Sequence, residues 1–198
     1  MELTDSLNEF APVARVFDAL NIDYQIGGSV ASSVHGFPRG THDIDVEADI
    51  RAEHVTEIVK ELEEHYLVSK EMIEDALRYQ SAFNLIPLDS ISKIDIFIRK
   101  NRAFDQEAAT RKQKGIILED GTEFPYFIDS AEDTILRKLE WYRMGNEVSD
   151  QKWADILAVL KAQVFDLDFE YLHKWAPEIG VADLLERALD ESGLAEAQ

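Results

Sequence analysis

The chain has 198 residues, 45% of them apolar and 30% charged, a composition that buries a core and excludes wholesale disorder. It has no cysteine, which excludes disulfides and thiolate metal sites and leaves oxygen or imidazole as the only metal ligands. A formal charge of −20, from 40 acids against 20 bases, excludes a broadly basic nucleic-acid surface.

The N-terminal stretch Met1–Phe10 lacks the basic and apolar regions of a signal peptide. No apolar run approaches the roughly 20 residues that a membrane span requires. A soluble, cytoplasmic protein is expected. Leu7, Phe10, Ala14 and Phe17 recur at helical spacing and predict a first helix from Ser6 to Leu20, with Asp5 as its cap. Asp23 to Ile26 reads as a short strand that ends at Gly27-Gly28, and a short helix from Ser29 to His35 follows. Gly36 and Pro38 break that helix. His35 is read as part of the helix end, and His42 receives no role.

His42 to Ala48 alternates, with Ile44 and Val46 on one face and Asp43, Asp45 and Glu47 on the other. A helix is expected over 52–64, with Val55, Ile58, Val59 and Leu62 inward. Strands are expected over 81–86 and 92–98, around a turn at Pro87-Leu-Asp89. Short strands are expected over 116–118 and 123–128, around Glu119-Asp-Gly121. Between Lys93 and Lys114 seven bases meet three acids, the one cationic stretch of an anionic chain.

After Ile128 only helices are expected. Ser130 caps the first, Gly145 ends it, and Ile135, Leu136, Leu139 and Tyr142 form its apolar face. Ser149 and Asp168 cap the next two, Gly180 ends the third, and a fourth covers 181–189. Trp141, Trp153 and Trp175 fall on apolar faces and are read as core. The chain divides into an α/β part, residues 1–129, and a helical region, 130–198, packed on it.

Two strands carry carboxylates against their β propensity. Asp95 stands opposite Ile94, Ile96 and Ile98, as Asp43 and Asp45 stand opposite Ile44 and Val46. Side by side, such strands would gather three like charges that repel unless a cation separates them, and Mg²⁺ (or Mn²⁺) suits hard oxygen ligands. Taken alone, Asp43-x-Asp45 also fits a solvated sheet face, and Gly27-Gly28-Ser29 also fits an ordinary tight turn. Together the turn offers close backbone approach and a helix N-terminus to phosphate, next to metal-binding acids.

The set Gly27-Gly28-Ser29, Arg39-x-Thr41-x-Asp43-Ile-Asp45 and the later Asp95, spanning about residues 22–98, resembles the nucleotidyltransferase superfamily. The resemblance implies an α+β fold, with a mixed β-sheet and flanking helices followed by a C-terminal helical bundle. It implies that the Gly-Ser turn lies under the triphosphate, that Asp43 and Asp45 bind metal, and that Asp95 is a third ligand or the base. More narrowly, Glu132-Asp133, Lys138 and the later Asp155 are similar to the AbiEii-type toxin nucleotidyltransferases. That likeness adds Lys138 and Asp155 to Gly27, Gly28, Ser29, Arg39 and Thr41 as nucleotide-binding residues.

The implied activity is Mg-dependent transfer of NMP from an NTP to a hydroxyl on RNA, protein or a small molecule, in a toxin–antitoxin or phage-defence setting. A non-catalytic antitoxin-like or regulatory module on the same fold is the alternative, and the intact set of three acids favours catalysis. Three structural expectations follow. Asp43, Asp45 and Asp95 should converge. The Lys138 ammonium should enter the same cleft, its stem along the interface, with Asp155 orienting it or contacting ribose. As a truncated surface lysine, Lys138→Ala should leave the melting temperature nearly unchanged.

Overall fold

A computed structural model describes residues 3–119 and 122–195, with side chains over 7–116 and 124–195. The order is α1 (Leu3–Ala19), β1 (Tyr24–Ile26), α2 (Gly28–His35), β2 (Asp43–Ala48), a 3-10 turn (Ala52–His54), α3 (Val55–Leu62), β3 (Tyr66–Leu67), α4 (Lys70–Tyr79), β4 (Ala82–Pro87), β5 (Lys93–Ile98), α5 (Ala103–Arg111), β6 (Gln113–Glu119) and β7 (Thr122–Ile128). The helices α6 (Ala131–Met144), α7 (Asp150–Ala162), α8 (Phe169–Glu178) and α9 (Ala182–Glu191) complete it. Among the described residues, no helix is long and apolar enough to cross a membrane.

The strands form one seven-stranded sheet in the order β3-β4-β5-β2-β1-β7-β6. β2 and β5 run parallel, as do β1 and β7, and the other neighbours are antiparallel. The expected mixed sheet with flanking helices is therefore present. Strict alternation gives the sheet its core: Ile44, Val46, Ile94 and Ile96 are all 0% exposed. They join Phe10, Val13, Ala14 and Phe17 of α1 and Val55, Ile58 and Leu62 of α3 in one apolar cluster. Each buried side chain of this size contributes about 1.5–3 kcal/mol.

A second cluster holds the helical part together through Ile135, Leu136 and Leu139 of α6, Ile156 and Leu160 of α7, Leu172 of α8 and Leu185 of α9. Phe104 and Ala108 of α5 join this cluster, so one helix from within the α/β segment packs with the later helices. The helix caps follow the sequence reading. Ser130, Ser149 and Asp168 each accept a backbone N–H from the first turn of α6, α7 and α8.

Several expectations change. α1 starts at Leu3, so Asp5 lies inside the helix rather than capping it. β3, α4 and α5 occupy segments that the sequence pattern left unassigned. In α4 Ile73 and Ala76 are buried, Met72 and Leu77 pack against the core beside them, and Ser69 caps the helix, an amphipathic pattern that the expected elements did not include. β6 is longer than expected, and Asp120 and Gly121 of the expected turn lie outside the described residues. Trp153 and Trp175 are core residues, at 8% and 6% exposure. Trp141 is half-buried and leans on Phe97, with ring centroids 5.0 Å apart.

Between the two clusters lies α2, packed against β2, α6 and α7. Its C-terminal end is pinned. His35 is buried with Nε2 2.7 Å from the Asp129 carbonyl, and the Gln163 amide donates to the His35 carbonyl at 2.8 Å. His35 is thus structural, as read. A Cβ on Gly36 would stand 3.1 Å from the Val159 backbone nitrogen, so glycine permits this close approach to α7. The pinning leaves the N-terminus of α2 aimed at the acidic face of the sheet.

Candidate active site

The parallel register of β2 and β5 sets Asp43 beside Lys93, Asp45 beside Asp95 and Glu47 beside Phe97. Because Ile44, Val46, Ile94 and Ile96 fill the core, all of these side chains share the opposite face. Asp43, Asp45 and Asp95 thus lie on one side of the sheet. Among the described residues, however, no group of three or more His, Cys, Asp or Glu side chains is gathered at metal-ligand spacing. Asp95 is instead held by its neighbours: Lys93 Nζ lies 2.7 Å from its Oδ2, and the Asn84 amide donates to its Oδ1. Asp43 is exposed, and the Thr41 hydroxyl donates to its carbonyl at 3.0 Å.

Asp45 sits in a perturbing environment. Burial, then the charges of Asp95 and Asp43, push its carboxyl up to about 6, against the pull of Lys138 and a hydrogen bond from the Ser29 N–H. A repelling set of oxygen ligands, one of them desolvated, is the environment in which a divalent cation is most strongly favoured.

The Ser29 bond places the Asp45 carboxylate over the glycine turn, at the N-terminus of α2. Gly28 has φ +57, and a Cβ there would collide with the Asp45 carboxylate. Gly28→Ala is therefore expected to destabilise the fold by about 1–3 kcal/mol, from backbone strain and displaced charge together. Denaturant unfolding checks this, and a loss below about 0.5 kcal/mol, typical of a surface substitution, contradicts it.

The residues matched by resemblance outside the strands form a continuous network. Arg39 donates to Ser29 Oγ at 2.8 Å and to both Asp155 oxygens, at 3.2 and 3.0 Å. Lys138 donates to Asp155 Oδ2 at 2.8 Å, and Gln151 donates to Oδ1 at 2.9 Å. Asp155 therefore joins Arg39, before β2, to Lys138 on α6. Burial opposes its charge, but these cations and hydrogen bonds hold its carboxyl below the usual range. Lys138 is 6% exposed, and burial, with Arg39 nearby, draws its ammonium below the usual lysine value despite Asp155. A surface lysine is thus the wrong description. Its truncation would remove a buried ion pair, and the expectation of an unchanged melting temperature is withdrawn. The Glu132-Asp133 pair lies apart from the cleft. Arg111 bonds Glu132, Tyr171 bonds Asp133, and both acids tie α6 to its neighbours.

Behind Asp45 lies a second layer that the sequence reading did not assign. Arg137 donates two bonds to Glu47, lies 3.5 Å from Asp129 and lies 3.8 Å from Asp105. Arg99 donates to Glu47 from the other side at 3.0 Å. Glu47 had a visible signal, since it extends the acidic alternation of β2. Arg137 had none beyond its place next to Lys138. Glu47, Asp105, Asp129 and Arg137 border a cavity of about 300 Å³ that reaches from Gly28, Asp45 and Lys138 to Trp141 and Met144.

Asp129 gives this layer a pH dependence. Burial pushes its carboxyl up to about 7, with Arg137 partly opposing and Asp133 and Glu47 adding to the shift. Above its ordinary value of 3.8 the unfolded chain has released a proton that the folded chain still holds. Its contribution to stability is therefore present below about pH 4 and is lost as pH rises through about 7. Asp129→Asn, uncharged throughout, should flatten the melting-temperature profile over that window. An equally steep profile would assign the slope to other groups.

No known family profile and no curated protein matches this sequence. Solved structures do. An antigenic nucleotidyltransferase-like protein from Paracoccidioides brasiliensis superposes with a TM-score of 0.58 at 18% identity, over 98% of this chain and 94% of that one. ANT(2″)-Ia in complex with adenylyl-2″-tobramycin superposes with a TM-score of 0.53 at 14% identity, over 89% and 97%. The solution structure of ANT(2″)-Ia, an antibiotic-resistance factor, gives 0.50 at 17% identity over the whole of both chains. With a seven-stranded mixed sheet, flanking helices and a match that covers 98% of the chain, the chain has the nucleotidyltransferase fold.

Proposed function

We propose that this protein is a metal-dependent nucleotidyltransferase that moves NMP from an NTP to an acceptor hydroxyl. The observation that carries the reading is the pairing of Asp45 with Asp95 on one sheet face, directly over the N-terminus of α2 and beside Lys138. Asp43 and Asp45, with Asp95, would hold Mg²⁺ or Mn²⁺, which supplies neutralisation of the triphosphate and stabilisation of charge at the α-phosphorus. Gly27, Gly28 and the Ser29 N–H offer the phosphates backbone approach, and Thr41 shapes the entry to Asp43. Arg39 and Lys138, positioned by Asp155, supply fixed positive charge. In the reaction an acceptor oxygen bonds to the α-phosphorus, the bond to the β-phosphate oxygen breaks, and pyrophosphate leaves. Asp95 takes the acceptor proton once Lys93 and Asn84 yield.

The AbiEii-type resemblance rests on Lys138 and Asp155 and carries with it a toxin–antitoxin or phage-defence setting, in the cytoplasm where NTPs are supplied. Asp43→Asn tests the reading directly, because Asp43 is exposed and its loss leaves the core intact. Calorimetric titration with Mg-NTP is expected to show at least about a tenfold loss of affinity in this variant, and a comparable loss for the wild type in EDTA. Unchanged affinity in both would remove the metal site.

A further inference from the structure

The two ends of β2 face different surroundings. Toward its start lie Ser29, Arg39, Thr41, Asp43 and Lys93, none of which borders the 300 Å³ cavity. Toward its end lie Glu47, Gln25 and Phe97, neighbours in one cross-strand row, and all three line it. Gly27, Gly28, Asp45 and Lys138 stand at the junction and border the cavity as well. If the nucleotide as a whole occupies the first side, its phosphates over the glycine turn, as in the function proposed above and on which this inference rests, the cavity is left for the other substrate.

The polar groups of the cavity say what that substrate is. Its charges are largely spent on each other. Glu47 is bonded by Arg137, Asp105 and Glu140 are bonded by Arg102, and Lys138 is bonded to Asp155. Two groups at the buried floor remain. Gln25 is 1% exposed, and neither its Nε2 nor its Oε1 has a hydrogen-bond partner. Asp129 is also 1% exposed, and its Oδ1 is unpartnered. An amide buried with both donor and acceptor unmet is costly, and a ligand that offers both in return removes the cost. On the wall, the tilted pair Phe97–Trp141 presents a half-exposed aromatic surface to a ring.

We propose that this cavity binds the hydroxyl-bearing acceptor, and that the acceptor is a small uncharged molecule with a ring to lie on Trp141 and an amide-like edge to meet Gln25. A volume of about 300 Å³ is that of a single small-molecule site. A polynucleotide acceptor would have to approach a chain of charge −20.

The test needs neither nucleotide nor metal, so it separates this proposal from the transferase reading. N-(2-hydroxyethyl)benzamide, which carries a ring, an amide and a hydroxyl, is titrated at millimolar concentration and followed by saturation-transfer NMR. Saturable binding is expected, weakened roughly fivefold to tenfold by Gln25→Leu through loss of buried hydrogen bonds. Trp141→Ala, at a half-exposed position, should weaken it as well and keeps the test valid if Gln25→Leu does not fold. Arg187→Ala, on α9 away from the cavity, should leave it unchanged. Absence of saturable binding, or binding indifferent to both cavity variants, overturns the proposal. A second arm follows label from an NTP radiolabelled at its α-phosphate in cell extract. Label on a low-mass product distinct from the NTP, NDP and NMP supports the assignment, and label on RNA or protein overturns it. Displacement of the bound probe by Mg-NTP would give the cavity to the nucleoside and overturn the proposal. If NTP binding is absent while the probe still binds, the transferase reading fails and the ligand class of the cavity stands.

Discussion

Arg137→Met is expected to cost about 3–5 kcal/mol of stability, enough to unfold a marginal domain, because it strands buried carboxylates. Only 15% of the Arg137 side chain is exposed, and its guanidinium serves Glu47, Asp129 and Asp105 together. Burial opposes its charge, and Asp129 and Glu47 more than offset that, so its pKa lies above the ordinary arginine value. Methionine keeps most of the stem packing and removes only the cation. Glu47 retains its bond from Arg99, and among the described residues Asp129 is left with only the more distant charge of Arg99. Denaturant unfolding of the single variant and of Arg137→Met/Asp129→Asn measures the coupling. At pH well above 7, where Asp129 is ionised, the double variant should recover part of the loss, since the uncompensated charge leaves with Asp129. Additive losses would mean that Arg137 acts through packing alone.

Asp155→Ala is expected to have a comparable effect on stability and a larger one on nucleotide binding. It leaves the Lys138 ammonium, 6% exposed, without its 2.8 Å partner, and it releases two bonds from Arg39. An unpaired buried charge costs about 3–5 kcal/mol. Arg39 would remain tied only to Ser29, and both cations would lose the geometry in which they face the cleft. NTP affinity should fall by at least about tenfold. Lys138→Met separates the two effects. It removes the charge with the site, so it should cost less stability than Asp155→Ala while reducing affinity as much. If Lys138→Met binds NTP like the wild type, Lys138 is a structural lysine and the phosphate role passes to Arg39 alone.

The strands that carry the acids were legible because burial on one face enforces a period of two. Ile44 and Val46, and Ile94 and Ile96, left Asp45 and Asp95 no other face. Which strands would be neighbours was not legible from alternation. Placing β5 beside β2 came from the superfamily resemblance, and the parallel register that pairs Asp45 with Asp95 came from the structure. α5 was not legible for a different reason. It buries only Phe104, Asp105 and Ala108 and so leaves little periodic signal. α4 did carry a signal, with Met72, Ile73, Ala76 and Leu77 on one face behind the Ser69 cap.

The network at Asp155 was half visible. Lys138 and Asp155 were marked by resemblance, but their depth was not, since a lysine beside an apolar stripe reads as a snorkelling surface residue. Arg39 meets Asp155 across 116 positions, a separation that no local pattern encodes. Gln25 offered no signal at all. A glutamine in a three-residue strand looks ordinary until the strand lies at the centre of the sheet.

The position of that strand also governs when the site can exist. β1 is joined to β7 through Ile26 and Ile128, and the Asp129 N–H bonds the Ile26 carbonyl. This closure spans about a hundred residues and is parallel, so its loop entropy must be met before the contact rewards it. α6 follows β7 directly, so this pairing brings Lys138 and Arg137 toward the cleft. Asp155 must then dock from α7 before Arg39 has a partner. A chain that has paired only β2 and β5 holds its three acids with Lys93 alone set against them, on Asp95. Under the proposed function, competence to hold a triphosphate would therefore come late in folding, once α6 and α7 have brought Lys138 and Asp155 to the cleft.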